Sequence, residues 1–289
     1  HRLAAAIGFR VGETSAAASL GAEDLIDLVG AAGQLGGRLH MMTRALSDQL
    51  EPQVPHLPGT SLVRLCTHLG ALEMFPQRVA TALEAVLPQR LRGLSLREAL
   101  QLLRASGRLR WRVPAVLEPL LASIGTADNL DTLDGAALGC VVYELYRLDI
   151  WDQGLLGAAC ERLDPDAGRH VPLKAASNIL LALSYFSQPV PRLYTRFLHE
   201  LLRVRDLPHE ATFQLKTFEM AVRVGHAPVV FWDLGKLASK WLFSIRSTAT
   251  PPEGRGESAF ADDVSAVARS ISWIHEAEVE IGPYVLDFA

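Results

Sequence analysis

Residues 173–183 read Leu173-Lys174-Ala175-Ala176-Ser177-Asn178-Ile179-Leu180-Leu181-Ala182-Leu183. Apolar side chains stand at positions 173, 176, 179, 180 and 183 of this stretch, which is the three- and four-residue spacing of one face of an α-helix. The same spacing returns in residues 62–72 and 193–201. This pattern predicts that the chain is nearly all α-helical.

Proline and glycine residues interrupt the helical pattern at short intervals and divide it into segments of about 12 to 20 residues. The predicted breaks are residues 52–55, Pro58, Gly59, Pro88, Gly93, Pro114, Gly125, Pro165, Pro189, Pro191, Pro208 and Pro228. Helices of this length joined by short connections pack as antiparallel pairs, so we expect a series of helix pairs.

The predicted joints between paired helices resemble one another in sequence. If Gly70, Arg104, Tyr146, Ser184 and Val222 are equivalent, successive joints are separated by about 34, 42, 38 and 38 residues. A sixth unit is predicted between residues 22 and 50. A period of about 38 residues is typical of two-helix solenoid repeats, which stack into a curved array with a long concave binding face. We therefore predict an α-solenoid, although the sequence does not show which face binds.

Composition limits the classes of protein that the chain can represent. Its 289 residues are 49% apolar, which is enough for a well-buried core, and no apolar run approaches the roughly 18 residues needed to cross a membrane. Cys66, Cys140 and Cys160 are widely spaced among apolar neighbours, so we expect free, mostly buried thiols. The net charge of −4 is unusual for a nucleic-acid-binding protein, so the distribution of charge matters more than its sum.

Motifs that would indicate an enzyme do not occur in the sequence. There is no glycine-rich phosphate loop, no His-Glu-x-x-His, no Gly-x-Ser-x-Gly and no cysteine pair at metal-binding spacing. We therefore expect no catalytic residues, no cofactor and no metal site.

Acidic residues gather in two stretches, around Asp128, Asp131 and Asp134 and again in residues 149–166. Most of them stand at turns and predicted helix starts, where an aspartate caps free amide groups and suits the helix dipole. Helix capping is the interpretation we favour; the alternatives are a surface for a protein partner or a cation site.

Positive charge is densest between residues 90 and 112. The RNA-binding candidates are Arg90, Arg92, Arg97, Arg104, Arg108, Arg110, Trp111 and Arg112. Positions 97, 104 and 108 share a helix face. The sequence also predicts that Arg108, Arg110 and Arg112 alternate in a short connector where Trp111 is available to stack on a base. The alternative is an exposed helix face whose arginines meet neighbouring carboxylates. A second, weaker basic group comprises Arg192, Arg196, Arg203 and Arg205.

A change of composition divides the chain into domains. Residues 247–258 are rich in proline, glycine and hydroxyl residues, which is typical of a linker. The predicted organisation is a helical-repeat array in residues 1–246, a linker in residues 247–258 and a small C-terminal domain in residues 259–289.

The C-terminal residues leave the helical pattern. Residues 277–281 alternate small or apolar with acidic side chains, Gly282-Pro283 is a strong turn dipeptide, and residues 284–288 are aromatic and β-branched enough for a second strand. We predict a helix over residues 262–274 followed by a β-hairpin.

The tail resembles the opening of the RAP domain, which occurs in organellar RNA-associated proteins behind helical repeats. The residues that carry the resemblance are Glu278, Gly282, Pro283, Tyr284 and Asp287. The match covers the first half of that domain and stops before its further strands and second acidic motif. RAP domains look like relatives of a nuclease fold, in which Asp287 would be one metal-binding carboxylate, but one carboxylate does not organise a metal site.

The resemblance implies a non-enzymatic RNA-binding protein of an organelle, the mitochondrial matrix being favoured over the plastid. Members of the family act on organellar transcripts or belong to organellar ribosomes. A near-neutral chain with one local arginine cluster suits a permanent part of a ribonucleoprotein, so we expect a structural component of a mitochondrial ribosome that contacts ribosomal RNA and other ribosomal subunits. The alternatives are a transcript maturation or stability factor and a protein-only helical scaffold.

Overall fold

The computed structural model describes residues 20–34, 46–224, 236–245, 277–281 and 284–288. Within these ranges the chain is mainly helical, as the apolar spacing predicted. No helix in these ranges combines the length and the apolar composition that a membrane crossing requires.

The α-helices are short and are joined by turns, with residues 46–50 also helical. They are α1 Ala22–Gln34, α2 Gly59–Leu72, α3 Gln77–Arg90, α4 Leu96–Leu109, α5 Pro114–Ile124, α6 Ala127–Thr132, α7 Gly135–Leu148, α8 Gln153–Leu163, α9 Leu173–Tyr185, α10 Pro191–Leu202, α11 His209–Arg223 and α12 Lys236–Ile245. Three 3₁₀ turns, Glu51–His56, Leu91–Gly93 and Pro165–Ala167, connect some of them. Pro88 does not break the chain as predicted, because it lies within the last turn of α3.

The chain divides into two compact units, His1–Arg162 and Leu163–Ala289. In the first unit α1, α2, α4 and α7 pack side by side in sequence order. A second row is formed by the Glu51–His56 turn, α3 and α5, in which α3 packs against both of the others. Contacts of α2 with α3 and of α4 with α5 join the two rows. This unit is therefore a two-layer stack of helix pairs.

The second unit repeats this arrangement with fewer described helices. Helix α9 packs against α10 and α11, while α12 packs against both α10 and α11. A network of polar side chains lies between α9 and α11, where the Ser177 hydroxyl donates to Gln214 Oε1 over 2.5 Å and the Gln214 amide donates to Asn178. These bonds satisfy groups that would otherwise be costly to bury.

The apolar faces found in the sequence form the two cores. In the first unit Leu62, Leu65 and Leu69 are at most 1% exposed, and in the second Ile179 and Leu183 are fully buried. Leu173, the first apolar residue of the stretch that indicated the fold, is 38% exposed at the start of α9. Leu173 belongs to the apolar face of α9, but it stays accessible because it lies in the first turn of the helix.

Among the described helices, α2, α4, α7 and α9 end in the same way, and their ends define the repeat. The left-handed, non-glycine residues that end them are Glu73, Arg110, Asp149 and Ser187, which recur about every 38 residues. After α2, Glu73 N–H donates to the Gly70 carbonyl and Met74 N–H to the Leu69 carbonyl, and the other three ends show the same pair of bonds. These are Schellman motifs, which satisfy the last carbonyls of a helix.

The end of α11 continues this spacing. Val224 has φ −81° and ψ 4°, close to the φ −83° and ψ 4° of Phe186, which stands one repeat earlier at the end of α9. Gly225, the counterpart of Ser187, lies outside the described residues. The repeat is thus about 38 residues long at every step, and it is more regular than the sequence predicted.

One predicted joint is wrong. Arg104 stands six residues before the left-handed Arg110, whereas Gly70 stands three residues before the left-handed Glu73, so Arg104 is not equivalent to Gly70. The carbonyl that corresponds to those of Gly70, Tyr146 and Ser184 belongs to Gly107. The sequence misled because the helix ends at Arg110, a residue type that gives no stop signal, while Gly107 stands inside the helix.

Two short strands follow in the C-terminal part of the chain, β1 Ala277–Ile281 and β2 Tyr284–Phe288. Their backbones pair antiparallel, with Val279 opposite Leu286 and Ile281 opposite Tyr284. The predicted turn at residues 282–283, the linker in residues 247–258 and the predicted helix over residues 262–274 lie outside the described residues. The hairpin as a unit, and its place in a RAP domain, therefore stay predictions.

Candidate nucleic-acid interface

Helix α4 carries the middle of the arginine cluster and has well-defined ends. Ser95 caps it through a capping box in which Glu98 N–H donates to Ser95 Oγ and Ser95 N–H donates to Glu98 Oε2 over 2.8 Å. Hydrogen bonds donated to the Glu98 carboxylate by the Ser95 hydroxyl and by the Ser95 backbone N–H lower the pKa of Glu98. The carboxylate therefore stays ionised at the helix N-terminus, where the dipole favours negative charge. Arg110, in the left-handed conformation, ends the helix.

The predicted helix face exists. Arg97, Arg104 and Arg108 all lie on α4 and are all exposed. At a rise of about 1.5 Å per residue, the backbone positions of Arg97 and Arg108 are about 16 Å apart, and those of Arg104 and Arg108 about 6 Å. The remaining arginines flank this helix: Arg90 and Arg92 precede its N-terminus, and Arg110 and Arg112 follow its C-terminus. The cluster is therefore a band along one helix with a group at each end.

Most of the positive charge in this band is uncompensated within the described residues. Arg90, Arg92, Arg97, Arg108 and Arg110 are exposed, and no described carboxylate oxygen lies within 4 Å of their side-chain nitrogens. Several arginines elsewhere are paired, among them Arg64 with Glu23 and Asp27, Arg78 with Glu51, and Arg192 with Asp164 and Asp166. For these five side chains the described residues thus provide no carboxylate contact of the kind that the alternative interpretation requires.

Two arginines of the band are partly held by α7 and the residue after it. Arg112 Nη1 lies 3.2 Å from Asp149 Oδ2, with both side chains half exposed. The Arg104 Nε–H donates to the sulfur of Cys140. A half-exposed ion pair contributes little to stability, so Arg112 can exchange Asp149 for another anion at small cost.

The prediction for Trp111 is wrong. The indole is only 6% exposed, its Nε1–H donates to Glu84 Oε1 over 3.0 Å, and its ring packs edge-on against Phe75 with centroids 5.0 Å apart. Trp111 is a core residue that fastens the end of α4 to α3, and it offers no face for a base to stack on. Sequence reasoning could not see this, because Phe75 and Glu84 are distant along the chain.

A buried carboxyl lies beneath the C-terminal half of the band. Glu144 on α7 is 5% exposed, and its Oε2 has no hydrogen-bond partner among the described residues. Arg147 Nη1 lies 3.6 Å from that oxygen, and Arg104 and Arg108 also act on it electrostatically. Burial raises the pKa of Glu144 to about 7, against the opposing effect of the three arginines.

Gly107 makes room for this carboxyl. A Cβ atom at position 107 would overlap Glu144 Oε2, far inside van der Waals contact. The absence of a side chain in the last full turn of α4 is therefore what allows the carboxyl of α7 to be buried between the two helices.

Glu144 and Arg147 are functional candidates that the sequence analysis missed. The corrected repeat register would have found the arginine, because Arg108 and Arg147 each stand two residues before a left-handed helix-ending residue, Arg110 and Asp149. If Arg104 is taken as the joint, as the sequence analysis predicted, Arg108 and Arg147 fall at different positions of the repeat. No sequence signal marks Glu144 as buried.

The acidic residues have mixed roles. Asp134 caps α7 by accepting the Ala137 N–H over 2.7 Å, and Asp152 accepts the Leu155 N–H over 2.9 Å at the start of α8. Capping is thus confirmed for these two. Asp131 instead forms an ion pair with Arg162 at 2.8 Å.

Half of the second basic group is used in structure. Besides the two ion pairs of Arg192, Arg196 pairs with Glu200 at 3.0 Å and donates to the carbonyl oxygens of Leu163 and Arg169. Arg203 and Arg205 are exposed and have no ion pair within the described residues. The group thus offers two unpaired charges, against five in the α4 band.

The cysteines are free thiols, with Cys66 and Cys160 buried and Cys140 partly so. Burial raises the pKa of Cys66 and of Cys160 to about 12, and it raises the pKa of Cys140 against the opposing effect of Arg104. The described ranges contain no group of three or more side chains suited to hold a metal ion.

The RAP-motif residues are described only in part. Glu278 lies in β1, Tyr284 and Asp287 lie in β2, and only their backbones are described, while Gly282 and Pro283 fall outside the described residues. No protein-family model and no curated protein sequence matches the chain. The resemblance to the RAP family thus rests on the sequence motif alone.

Proposed function

We propose that this chain is a non-enzymatic RNA-binding protein of the α-solenoid type that holds the phosphate backbone with the arginine band along α4. The observation that carries the proposal is the set of five exposed arginines, Arg90, Arg92, Arg97, Arg108 and Arg110, without a carboxylate partner in the described residues. Concentrated, unpaired positive charge is what binding to phosphate requires, even in a chain whose net charge is −4.

Arginine also suits the proposed ligand chemically. Its planar guanidinium binds phosphate oxygens in two-point geometry and stays charged at any physiological pH. With Trp111 buried, no aromatic side chain of the predicted set remains to stack on bases. The band therefore binds the backbone rather than reading base edges, and it favours RNA by shape and charge more than by sequence.

The RAP-like tail supplies the proposed setting. We propose an organellar protein, most simply a structural component of a mitochondrial ribosome with one arginine band on ribosomal RNA and other surfaces on neighbouring ribosomal proteins. The alternative location is the plastid. A transcript maturation or stability factor and a protein-only scaffold are the alternative functions that the experiments separate from a ribosomal component.

The direct test is the salt dependence of binding to a single-stranded RNA of about 20 nucleotides, measured by fluorescence anisotropy with the full chain. We expect the logarithm of the association constant to fall linearly with the logarithm of salt concentration. In a triple variant with Arg97→Gln, Arg108→Gln and Arg110→Gln, we expect the slope to decrease by about 2, because each single-strand phosphate contact contributes about 0.7.

The matched control removes the same charge from arginines that are already paired: Arg64→Gln, Arg78→Gln and Arg192→Gln. We expect this variant to keep the slope of the wild type to within about one contact. If the two triple variants have equal salt-dependence slopes, RNA binds at a site other than the arginine band. No salt-dependent binding in the wild type would favour the protein scaffold.

A further inference from the structure

The buried carboxyl of Glu144 lies against Gly107 on α4, next in sequence to Arg108 of the arginine band. From α4, the helix packed on this face of α7, Arg104 and Arg108 act on it, and from α7 itself Arg147 does, at 3.6 Å. Cys140 is the other titratable group of the cluster, through its contact with Arg104, and burial keeps it a neutral thiol. The charge state of one carboxyl thus influences three arginines at once.

We propose that Glu144 is a positioning residue whose protonation tightens RNA binding at the C-terminal half of the arginine band and whose ionisation weakens it. This inference rests on the proposed function, since it concerns the regulation of the same site.

Burial and packing support this role. The Glu144 side chain is 5% exposed, and its Oε2 faces the backbone of Gly107 rather than solvent, so water screens its charge poorly. Within the described residues this oxygen has no hydrogen-bond partner to hold the charged form. An ionised carboxyl in this place depends on the arginines for its stabilisation, and its negative charge offsets part of their positive charge.

Phosphate and the Glu144 carboxylate therefore compete for the same arginines. When Glu144 is protonated, its negative charge no longer offsets that of Arg104, Arg108 and Arg147, so an external anion experiences their full positive charge. When RNA binds, its negative charge disfavours ionisation of the carboxyl. These two statements are thermodynamically equivalent. If RNA raises the pKa of Glu144 by one unit, the protonated protein binds RNA tenfold more tightly than the ionised protein does. The raised pKa of about 7 places the change near neutral pH.

The experiment measures the dissociation constant of the same single-stranded RNA at pH 6, 7 and 8 and constant ionic strength, with the full chain and with Glu144→Gln. With a pKa of about 7 in the free protein and one unit higher in the complex, we expect the wild type to bind about fivefold more weakly at pH 8 than at pH 6. The Gln variant fits the same space without a titratable group, so its dissociation constant should change less than about twofold between pH 6 and pH 8. At pH 8 the variant should bind as tightly as the wild type does at pH 6.

A control variant, Glu118→Gln, removes an exposed carboxylate from α5 and should keep the pH dependence of the wild type. If RNA binds but the wild type and Glu144→Gln show the same pH dependence, the inference is overturned and the proposed function stands. If RNA does not bind at any pH, the proposed function itself fails.

A second measurement keeps the test valid if Glu144→Gln does not fold. The carboxyl ¹³C resonance of Glu144, followed by NMR against pH, gives its pKa in the free protein and with RNA bound. We expect RNA to raise that pKa by about one unit. An unchanged value with RNA bound would contradict the proposal.

Discussion

At the residue scale, the close approach of Gly107 and Glu144 is the most distinctive contact in the first unit. A buried carboxyl with an unpartnered oxygen normally destabilises a fold, and here a glycine inside a helix, itself unfavourable by about 1 kcal/mol, is required to accommodate it. Two unfavourable choices at one contact are typical of positions kept for function rather than for stability. The glycine and the buried carboxyl can each be tested by stability measurements without RNA.

Gly107→Ala should have effects of opposite sign in two backgrounds. In the wild type the new Cβ displaces the carboxyl, and we expect the free energy of unfolding to fall by about 1 to 3 kcal/mol. In a Glu144→Ala background the nearest remaining atom of residue 144 is its Cβ at 3.6 Å, so the gain in helix propensity should stabilise by up to about 1 kcal/mol.

Urea unfolding of the four proteins in this double-mutant cycle measures the coupling directly. A penalty for Gly107→Ala that is the same in both backgrounds would show that Glu144 does not occupy the space above Gly107.

The pH dependence of stability is a second consequence of the buried carboxyl. The pKa of Glu144 is raised from 4.5 to about 7 in the folded chain, so between these values the folded state holds a proton that the unfolded state has lost. Stability from this group is fully present below pH 4.5 and is lost as pH rises through 7, by an amount on the order of 3 kcal/mol.

Urea unfolding of the wild type and of Glu144→Gln from pH 5 to pH 8 tests this sign. The difference in free energy of unfolding should shift in favour of the Gln variant as pH rises. A constant difference across that range would mean that Glu144 titrates at the same pH in both states.

At the element scale, the helix ends determine the repeat. Glu73, Arg110, Asp149 and Ser187 adopt the left-handed conformation at equivalent positions, although this conformation costs residues other than glycine about 1 to 2 kcal/mol. The two Schellman hydrogen bonds at each end compensate this cost and fix the direction in which the chain leaves the helix. The regular repeat therefore comes from backbone hydrogen bonding rather than from a shared residue type.

Glu73→Gly should stabilise the chain by about 0.5 to 1 kcal/mol, because glycine adopts the positive φ of this position without strain. Ala85→Gly is the matched control: it places the same residue at an exposed position inside α3, where we expect a loss of about 1 kcal/mol. Thermal unfolding followed by circular dichroism measures both. Destabilisation by Glu73→Gly would mean that the glutamate side chain makes a stabilising contact.

At the scale of the whole molecule, the sequence predicted the helical class and the approximate repeat length, because apolar spacing and proline positions report directly on burial and helix ends. It misplaced the joint at Arg104, because the helix ends at Arg110, a residue type that gives no stop signal. It assigned Trp111 to a binding surface because exposure depends on Phe75 and Glu84, which only tertiary packing brings near.

The arginine band itself was predictable, because its residues lie close together in the sequence, along one helix and the segments that flank it. The buried partner of the band was not, because nothing local distinguishes Glu144 from an exposed glutamate on an amphipathic helix. The site therefore combines a component visible in the sequence with one visible only in the packing of α4 against α7.

The most direct test of the account is ultraviolet crosslinking of the full-length protein in isolated mitochondria, with sequencing of the attached RNA, mass spectrometry of the crosslinked peptides and sedimentation of the same lysate. We predict ribosomal RNA, crosslinked to peptides from residues 90–112, in fractions that sediment with the ribosome. Messenger RNA in lighter fractions would assign the same interface to a transcript factor. Protein without RNA, or crosslinks confined to other residues, would contradict the claim that the arginine band binds RNA.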